Sequence, residues 1–183
     1  MTLNQDLVNN YFSQVWYKRD RNLSQYQYSG YALVDKVQPD EWVLDVGCGK
    51  HPFKGHIKNL VGIDPAFDEA DYKVTIQDFE TDQKFDVAFC LGSINFGEDA
   101  DIQDEIAKTV NLLTPHGRIY WRCNPGRADH GNEECSFLPF YDWDMPKQLY
   151  WAEYFGFMVQ ELRWDSNNRL YAEWIRRPTV QPA

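Results

Sequence analysis

The sequence predicts a single α/β domain with a doubly wound, mostly parallel sheet and a helical cap at its N-terminus. Short apolar runs alternate with segments of helical period, which is the pattern of parallel strands joined by crossovers. One apolar run, residues 42–46, leads directly into the turn Gly47-Cys48-Gly49, as a buried strand does when it ends at a ligand site. The last part of the chain has the pattern of a helix and a hairpin, so one strand should be antiparallel.

Length and composition favour one domain. The chain has 183 residues, of which 43% are hydrophobic and 16% aromatic. This is enough for one substantial core, but not for two domains of ordinary size. We expect a helical cap over residues 1–40, an α/β core over residues 41–176 and a short tail over residues 177–183.

Charge and cysteine usage exclude several classes of protein. The net charge of -10 opposes contact with phosphate backbones, so nucleic acid is not an expected partner. The N-terminal residues lack the features of a secretory signal, and no apolar run is long enough to span a bilayer. The four cysteines form no CxxC pair and match no common zinc pattern. We therefore expect a cytoplasmic protein without a metal site or membrane contact.

The elements follow one another along the chain. A helix is predicted where Leu7, Val8, Tyr11, Phe12 and Val15 recur at helical spacing, and a brief helical stretch over residues 32–37 precedes the first strand. Seven strands are predicted, at residues 42–46, 59–63, 72–76, 85–91, 118–123, 157–164 and 170–175.

Two further helices are predicted from periodicity and end signals. Ile102, Ile106 and Val110 keep helical spacing between the fourth and fifth strands, and Pro146 can open a helix that ends before Gly156. Between the glycine turn and the second strand there is room for only one or two helical turns.

Six segments, in order, resemble the class I S-adenosylmethionine-dependent methyltransferase family over residues 40–176. The first resembles the glycine-rich motif of that family, and the fifth resembles its turn before strand five. They are VLDVGCG, NLVGIDP, IQDFE, KFDVAFCLGSI, LLTPHGRIYW and WAEYFGF. The resemblance implies a Rossmann-like methyltransferase fold with S-adenosylmethionine as the cofactor.

The resemblance also implies which residues bind the cofactor. Gly47 and Gly49 would line its methionine part, the main chain of Leu91 would accept its ammonium group, and Asp45 would orient the loop.

On the nucleoside side, Asp64 would hold the ribose and Pro65 would lie beside the adenine. Asp78 would meet the adenine amino group, with Phe79 next to it. The sequence departs from the family pattern at His51, which stands where many members have a third glycine.

The function that follows is methyl transfer to a small-molecule or protein acceptor. An alternative is a catalytically silent module that keeps the fold and binds the cofactor or a partner. A nicotinamide enzyme is disfavoured because His51-Pro52 breaks the GxGxxG spacing. The oligomeric state is left open.

Residues for the acceptor side are expected after the fourth and fifth strands. Asn95 and Asn124 are candidates for orienting the acceptor, and His130 is the candidate base. The alternative, that His130 is a solvated loop residue, is favoured because loop histidines are commonly solvated. The loop over residues 124–144 is expected to form the substrate wall, and aromatic residues near the N-terminus could cover the cofactor.

The basic stretch over residues 50–58 has two interpretations. It is a solvated helix face in an acidic protein, or it attracts an anionic group to a helix start. We expect the solvated face.

Overall fold

The computed structural model describes residues 4–19, 23–125 and 135–178. This part of the chain contains three α-helices and six strands. Their order is α1 (Gln5–Gln14), β1 (Val43–Val46), β2 (Leu60–Ile63), β3 (Phe85–Cys90), α2 (Asp99–Leu112), β4 (Leu113–Cys123), α3 (Met145–Tyr154), β5 (Phe157–Trp164) and β6 (Leu170–Arg176). Short 3-10 helices lie at Trp16–Lys18, Leu23–Gln25 and Gly30–Lys36.

The strands form one sheet in the order β2-β1-β3-β4-β6-β5. The first four in this order are parallel, and β6 is antiparallel to both β4 and β5. All four residues of β1 are buried because the strand lies inside the sheet with both faces covered. The predicted doubly wound sheet with one antiparallel strand is therefore confirmed.

The number of strands differs from the prediction by one. Of the predicted third strand, residues 72–76, only Tyr72 pairs with the sheet, through a single bridge to Ile63. The hydroxyl of Thr75 donates to Asp78 Oδ2 at 2.8 Å and accepts the Asp78 N–H at 3.2 Å. Such local side-chain bonds compete with extended pairing, and β2 ends at Ile63, so the sheet stops here.

The connection after the glycine turn is also not the predicted helix. Residues 50–58 form successive turns, with backbone bonds such as Lys54 N–H to the His51 carbonyl at 3.1 Å. His51 has a φ of 53°, which an α-helix cannot include. The stretch is therefore not a helix face, but its basic side chains other than His51 are exposed to solvent, as expected.

Two layers cover the sheet. On one face, α2 and α3 pack through residues such as Ile102, Ile106 and Trp151. On the other face, Leu33 of the third 3-10 helix and Phe53 of the turns pack over β1 and β3. The turns thus cover the sheet where a crossover helix was expected.

The N-terminal helix packs separately from these layers. The Asn4 side chain accepts the Leu7 N–H and caps α1. Val8 and Tyr11 of α1 are buried against a cluster that includes Phe96 and Phe140. Among the residues described, no helix is both long and apolar enough for a membrane span.

Candidate functional site

A cavity of about 430 Å³ lies at the carboxyl ends of β1 to β4 and is covered by α1. This is within the size range of small-molecule sites in proteins. Its lining includes residues that follow each of these strands: Gly47 and Gly49, Asp64 and Pro65, Leu91 and Ser93, and Asn124.

The glycine turn forms one wall and requires glycine. Gly47 and Gly49 have φ angles of 68° and 56°, in the left-handed region. A Cβ on Gly47 would lie 2.4 Å from Ser93 Cβ, which is closer than atoms can approach. The N–H groups of Gly47 and Cys48 both donate to the Ile63 carbonyl, at 2.8 and 3.0 Å. The turn is therefore held between β2 and the end of β3.

Asp64 joins the turn to the end of β2. Its Oδ2 accepts the Gly49 N–H at 2.9 Å, and its Oδ1 accepts the Ala66 N–H at 2.8 Å. Each carboxylate oxygen keeps a second lone pair, so these bonds leave Asp64 able to accept from a ligand. Burial raises the pKa of Asp64, although the backbone bonds oppose this.

Asp45 is the most deeply buried carboxyl of the cavity, with 3% of its surface exposed. Burial, and secondly the charge of Asp64, raise the pKa of Asp45 to about 8. No hydrogen bond joins its side chain to the described residues. At neutral pH the carboxyl is therefore mostly protonated.

Two of the predicted cofactor residues are not brought into the cavity. Asp78 is exposed and bonded to Thr75, while Phe79 is buried with its ring centroid 5.3 Å from that of Tyr72. Both lie outside the cavity lining, and Thr75 and Ile76 line it instead. The cause is the turn that ends the predicted third strand early.

Glu105 on α2 lines the cavity and was not predicted. Its Oε2 is buried and has no hydrogen-bond partner in the part of the chain that the structure describes. Burial, and secondly the charge of Asp101, raise the pKa of Glu105 to about 8. The helical spacing could have predicted this position, because Glu105 is three residues after the buried Ile102 and therefore lies at the edge of the buried helix face.

The three residues predicted for the acceptor side have different positions. Asn124 lines the cavity. Asn95 is 1% exposed and lies behind the lining, where its Oδ1 accepts the Asn124 N–H at 3.3 Å. Asn95 thus links the ends of β3 and β4. His130 lies outside the described residues.

Aromatic residues close the cavity from the N-terminal side. Of the N-terminal aromatic residues expected to cover the cofactor, Trp16, Tyr26 and Tyr31 line the cavity. Tyr17 and Tyr28 do not. The Trp16 ring would lie 3.6 Å from a Cβ placed on Gly49, so it covers the glycine turn directly.

Several solved structures similar to this one are methyltransferases with S-adenosylmethionine or S-adenosylhomocysteine bound. The 1,6-didemethyltoxoflavin N1-methyltransferase of Burkholderia thailandensis, with bound S-adenosylhomocysteine, is 14% identical with a TM-score of 0.69, covering 94% of this chain and 86% of its own. The magnesium protoporphyrin IX methyltransferase of Synechocystis, with bound S-adenosylmethionine, is 14% identical with a TM-score of 0.68, covering 97% and 99%.

A third similar structure is an N-methyltransferase of Bradyrhizobium japonicum in complex with S-adenosylhomocysteine. It is 18% identical with a TM-score of 0.59, covering 74% of this chain and 78% of its own. No protein-family model matches the sequence, and neither does any curated protein. The chain therefore has the Rossmann-like fold of class I methyltransferases, on the strength of its structure.

Proposed function

We propose that this chain transfers a methyl group from S-adenosylmethionine to a small-molecule acceptor. The observation that carries the proposal is the single cavity that joins the glycine turn, Asp64 and Asn124 beneath α1. The chemistry of this lining is that of a nucleoside and amino acid site at the carboxyl edge of a parallel sheet.

The residues present fit the cofactor. Gly47 lines the cavity with main chain alone, and a Cβ there would collide with Ser93. The free lone pairs of Asp64 suit two ribose hydroxyls, and the carbonyl of Leu91 suits the ammonium group. Pro65 and Ile76 supply apolar surface for the adenine.

With Asp78 outside the cavity, we assign the contact with the adenine amino group to Glu105. The Lys108 side chain reaches Glu80 at 2.5 Å, so this side of α2 lies against the segment that follows Ile76. Glu105 is one turn before Lys108 on that side. Its unpartnered carboxyl is thus beside the apolar surface proposed for the adenine.

Bound S-adenosylmethionine supplies an electrophilic methyl group on a sulfonium cation. The protein has to hold the acceptor in line and exclude water. The faces of Trp16 and Tyr31 attract a cation, and Asn124 offers polar contacts to the acceptor. Cover by α1 favours a small molecule over a protein side chain, because a protein would have to displace the helix.

The second candidate is a silent module that binds the cofactor without transferring its methyl group. Two departures from the family pattern favour it: His51 stands where many members have a third glycine, and turns replace the helix after the glycine turn. Methyl transfer to an added acceptor separates the two candidates, since both bind the cofactor.

The proposed cofactor site is tested by calorimetry with S-adenosylhomocysteine, with NAD as the negative ligand. Gly47→Ala should abolish binding, because the new Cβ would meet Ser93 at 2.4 Å. Gly55→Ala is the matched control, since Gly55 also has a positive φ, of 88°, but has no atom within 4 Å of an added Cβ. Both variants carry backbone strain of about 1 kcal/mol.

Equal binding by the two variants would contradict the assignment of the glycine turn. Binding of NAD in place of S-adenosylhomocysteine would contradict the proposed cofactor. Circular dichroism of both variants establishes that they are folded.

A further inference from the structure

Arg122, on β4, lines the cavity with its side chain only 12% exposed. Burying a guanidinium costs free energy unless its donors are paired. The paired and unpaired donors of Arg122 therefore indicate its function.

One edge of the Arg122 guanidinium is fixed by Asp165. Arg122 Nε donates to Asp165 Oδ2 at 2.7 Å. Asp165 is itself 6% exposed, and its Oδ1 accepts the N–H groups of Asn167 and Arg169 at 2.8 and 2.9 Å. The guanidinium also lies 4.5 Å from the centre of the Tyr26 ring. Its plane is therefore set before any ligand binds.

The other edge of the same group has no partner. Neither Nη1 nor Nη2 of Arg122 makes a hydrogen bond within residues 4–19, 23–125 and 135–178. Arg118, four residues earlier on the same strand, shows the contrast, because its Nε and both Nη atoms donate to Tyr120, Glu41 and the Lys36 carbonyl at 2.6 to 3.0 Å. All the donor nitrogens of Arg118 are paired within the protein, whereas the two Nη atoms of Arg122 can still donate to a ligand.

A second polar group in the cavity is also without a partner. Ser29 is 1% exposed and lines the cavity, and its Oγ has no hydrogen-bond partner among the described residues. The preceding residue, Tyr28, stacks on Tyr171 with 5.8 Å between ring centroids, and Tyr171 is the register partner of Arg122 across β4 and β6. Ser29 and Arg122 therefore belong to the same end of the cavity.

The charge of the cavity also suits an anion, although the protein is acidic as a whole. Its lining carries four basic side chains, Arg19, Lys50, Arg122 and Arg169, and three carboxyls, Asp45, Asp64 and Glu105. Burial raises the pKa of Asp45 and of Glu105 to about 8, so these two are mostly neutral near pH 7.

The methionine carboxylate of the cofactor is one possible anion, but the fold separates it from Arg122. The glycine turn follows β1, and β4 is the second strand away, or about 10 Å. Lys50 directly follows the glycine turn and also lines the cavity, so it is a basic residue available at the methionine end. The anion at Arg122 then belongs to the acceptor.

We propose that the methyl acceptor carries a carboxylate that binds the two Nη atoms of Arg122, with the Ser29 hydroxyl as a further donor. This rests on the proposed function. The rest of the acceptor would pack on the aromatic wall of the cavity, where the ring centroid of Phe96 lies 5.8 Å from that of Phe12 and 5.1 Å from that of Phe140. The substrate class is thus a small aromatic acid.

The test uses the full chain saturated with S-adenosylhomocysteine and two pairs of probes, benzoate with benzamide and 2-naphthoate with 2-naphthamide. Affinities are measured by ligand-observed NMR titration. The acids should bind about tenfold or more tightly than their neutral amides. Arg122→Lys keeps a cation for Asp165 but loses the pair of Nη donors. It should reduce the preference for the acids about tenfold and leave the affinities for the amides unchanged.

Arg163→Lys, the same substitution at another arginine, is the matched control. Arg163 lies over the Tyr28 ring at 4.3 Å and pairs with Glu161, as Arg122 lies over Tyr26 and pairs with Asp165, but it is outside the cavity. This variant should keep the preference for the acids.

Three results with the probes would overturn the inference. They are equal binding of acids and amides, no binding of either, and a preference that persists in Arg122→Lys. Loss of S-adenosylhomocysteine affinity in Arg122→Lys would assign the pair of Nη donors to the cofactor instead and also overturn it. Failure of the wild-type chain to bind S-adenosylhomocysteine is a separate result, which rejects the proposed function.

Discussion

Asp45 makes the ligand-free protein sensitive to pH in a direction that can be worked out. Its pKa is about 8 in the folded chain and 3.8 in the absence of burial. Between these values the unfolded chain has released a proton that the folded chain retains. The free energy of unfolding therefore falls as pH rises from about 4 to about 8.

Asp45→Asn removes this titration while preserving shape. At about 1.4 kcal/mol for each pKa unit, the wild-type chain should lose about 4 kcal/mol relative to Asp45→Asn between pH 5 and pH 8. Glu105 acts in the same direction, but it is present in both proteins, so its effect cancels in the comparison.

The assay is urea unfolding followed by tryptophan fluorescence at pH 5, 6.5 and 8, with linear extrapolation to water. Asp82→Asn is the control, because Asp82 is exposed and should leave the wild-type pH dependence intact. If the wild-type chain and Asp45→Asn lose stability in parallel, the buried carboxyl is not the source of the pH dependence and the reasoning is refuted.

Three further predictions concern other carboxyls. Asp64→Ala should weaken S-adenosylhomocysteine binding by about 1.5 to 3 kcal/mol, and unchanged affinity in calorimetry would remove the ribose assignment. Asp71→Asn should lower the free energy of unfolding, measured in urea, by about 2 kcal/mol at pH 7 and leave it unchanged near pH 2. Burial would raise the pKa of Asp71, but the bonds from Lys54, Gly62 and His51 outweigh it and lower this pKa to about 2. The stabilisation is therefore present above pH 4 and is lost as pH falls. Glu105→Leu should weaken S-adenosylhomocysteine binding without lowering the free energy of unfolding at pH 8. If the variant binds as tightly as the wild-type chain, another group contacts the adenine.

The residues after the parallel strands could be predicted because their convergence needs little long-range information. Once 42–46 and 59–63 are identified as buried parallel strands, their carboxyl ends meet at one edge of the sheet, and Asp45, Gly47 and Asp64 come together there.

Other parts of the site depend on contacts that no local pattern contains. Arg122 was not singled out, because its partner Asp165 is 43 residues away and its stacking partner Tyr26 lies almost 100 residues before it. Asp78 lies outside the cavity lining for the opposite reason. The motif fits the family, but the bond to Thr75 turns the side chain toward solvent.

The connection after the glycine turn shows how one substitution in a motif changes what surrounds it. His51 stands where many methyltransferases have a third glycine, and its ring lies over β2, where a Cβ on Gly62 would be 2.5 Å from it. His51 Nε2 bonds to Asp71 Oδ2 at 2.8 Å, and that oxygen also accepts the Gly62 N–H at 3.0 Å. Histidine at 51, glycine at 62 and aspartate at 71 therefore depend on one another. Together they fix the glycine turn to the edge of the sheet, which is the task that a crossover helix would otherwise perform, and the chain can omit that helix without opening the cofactor cavity.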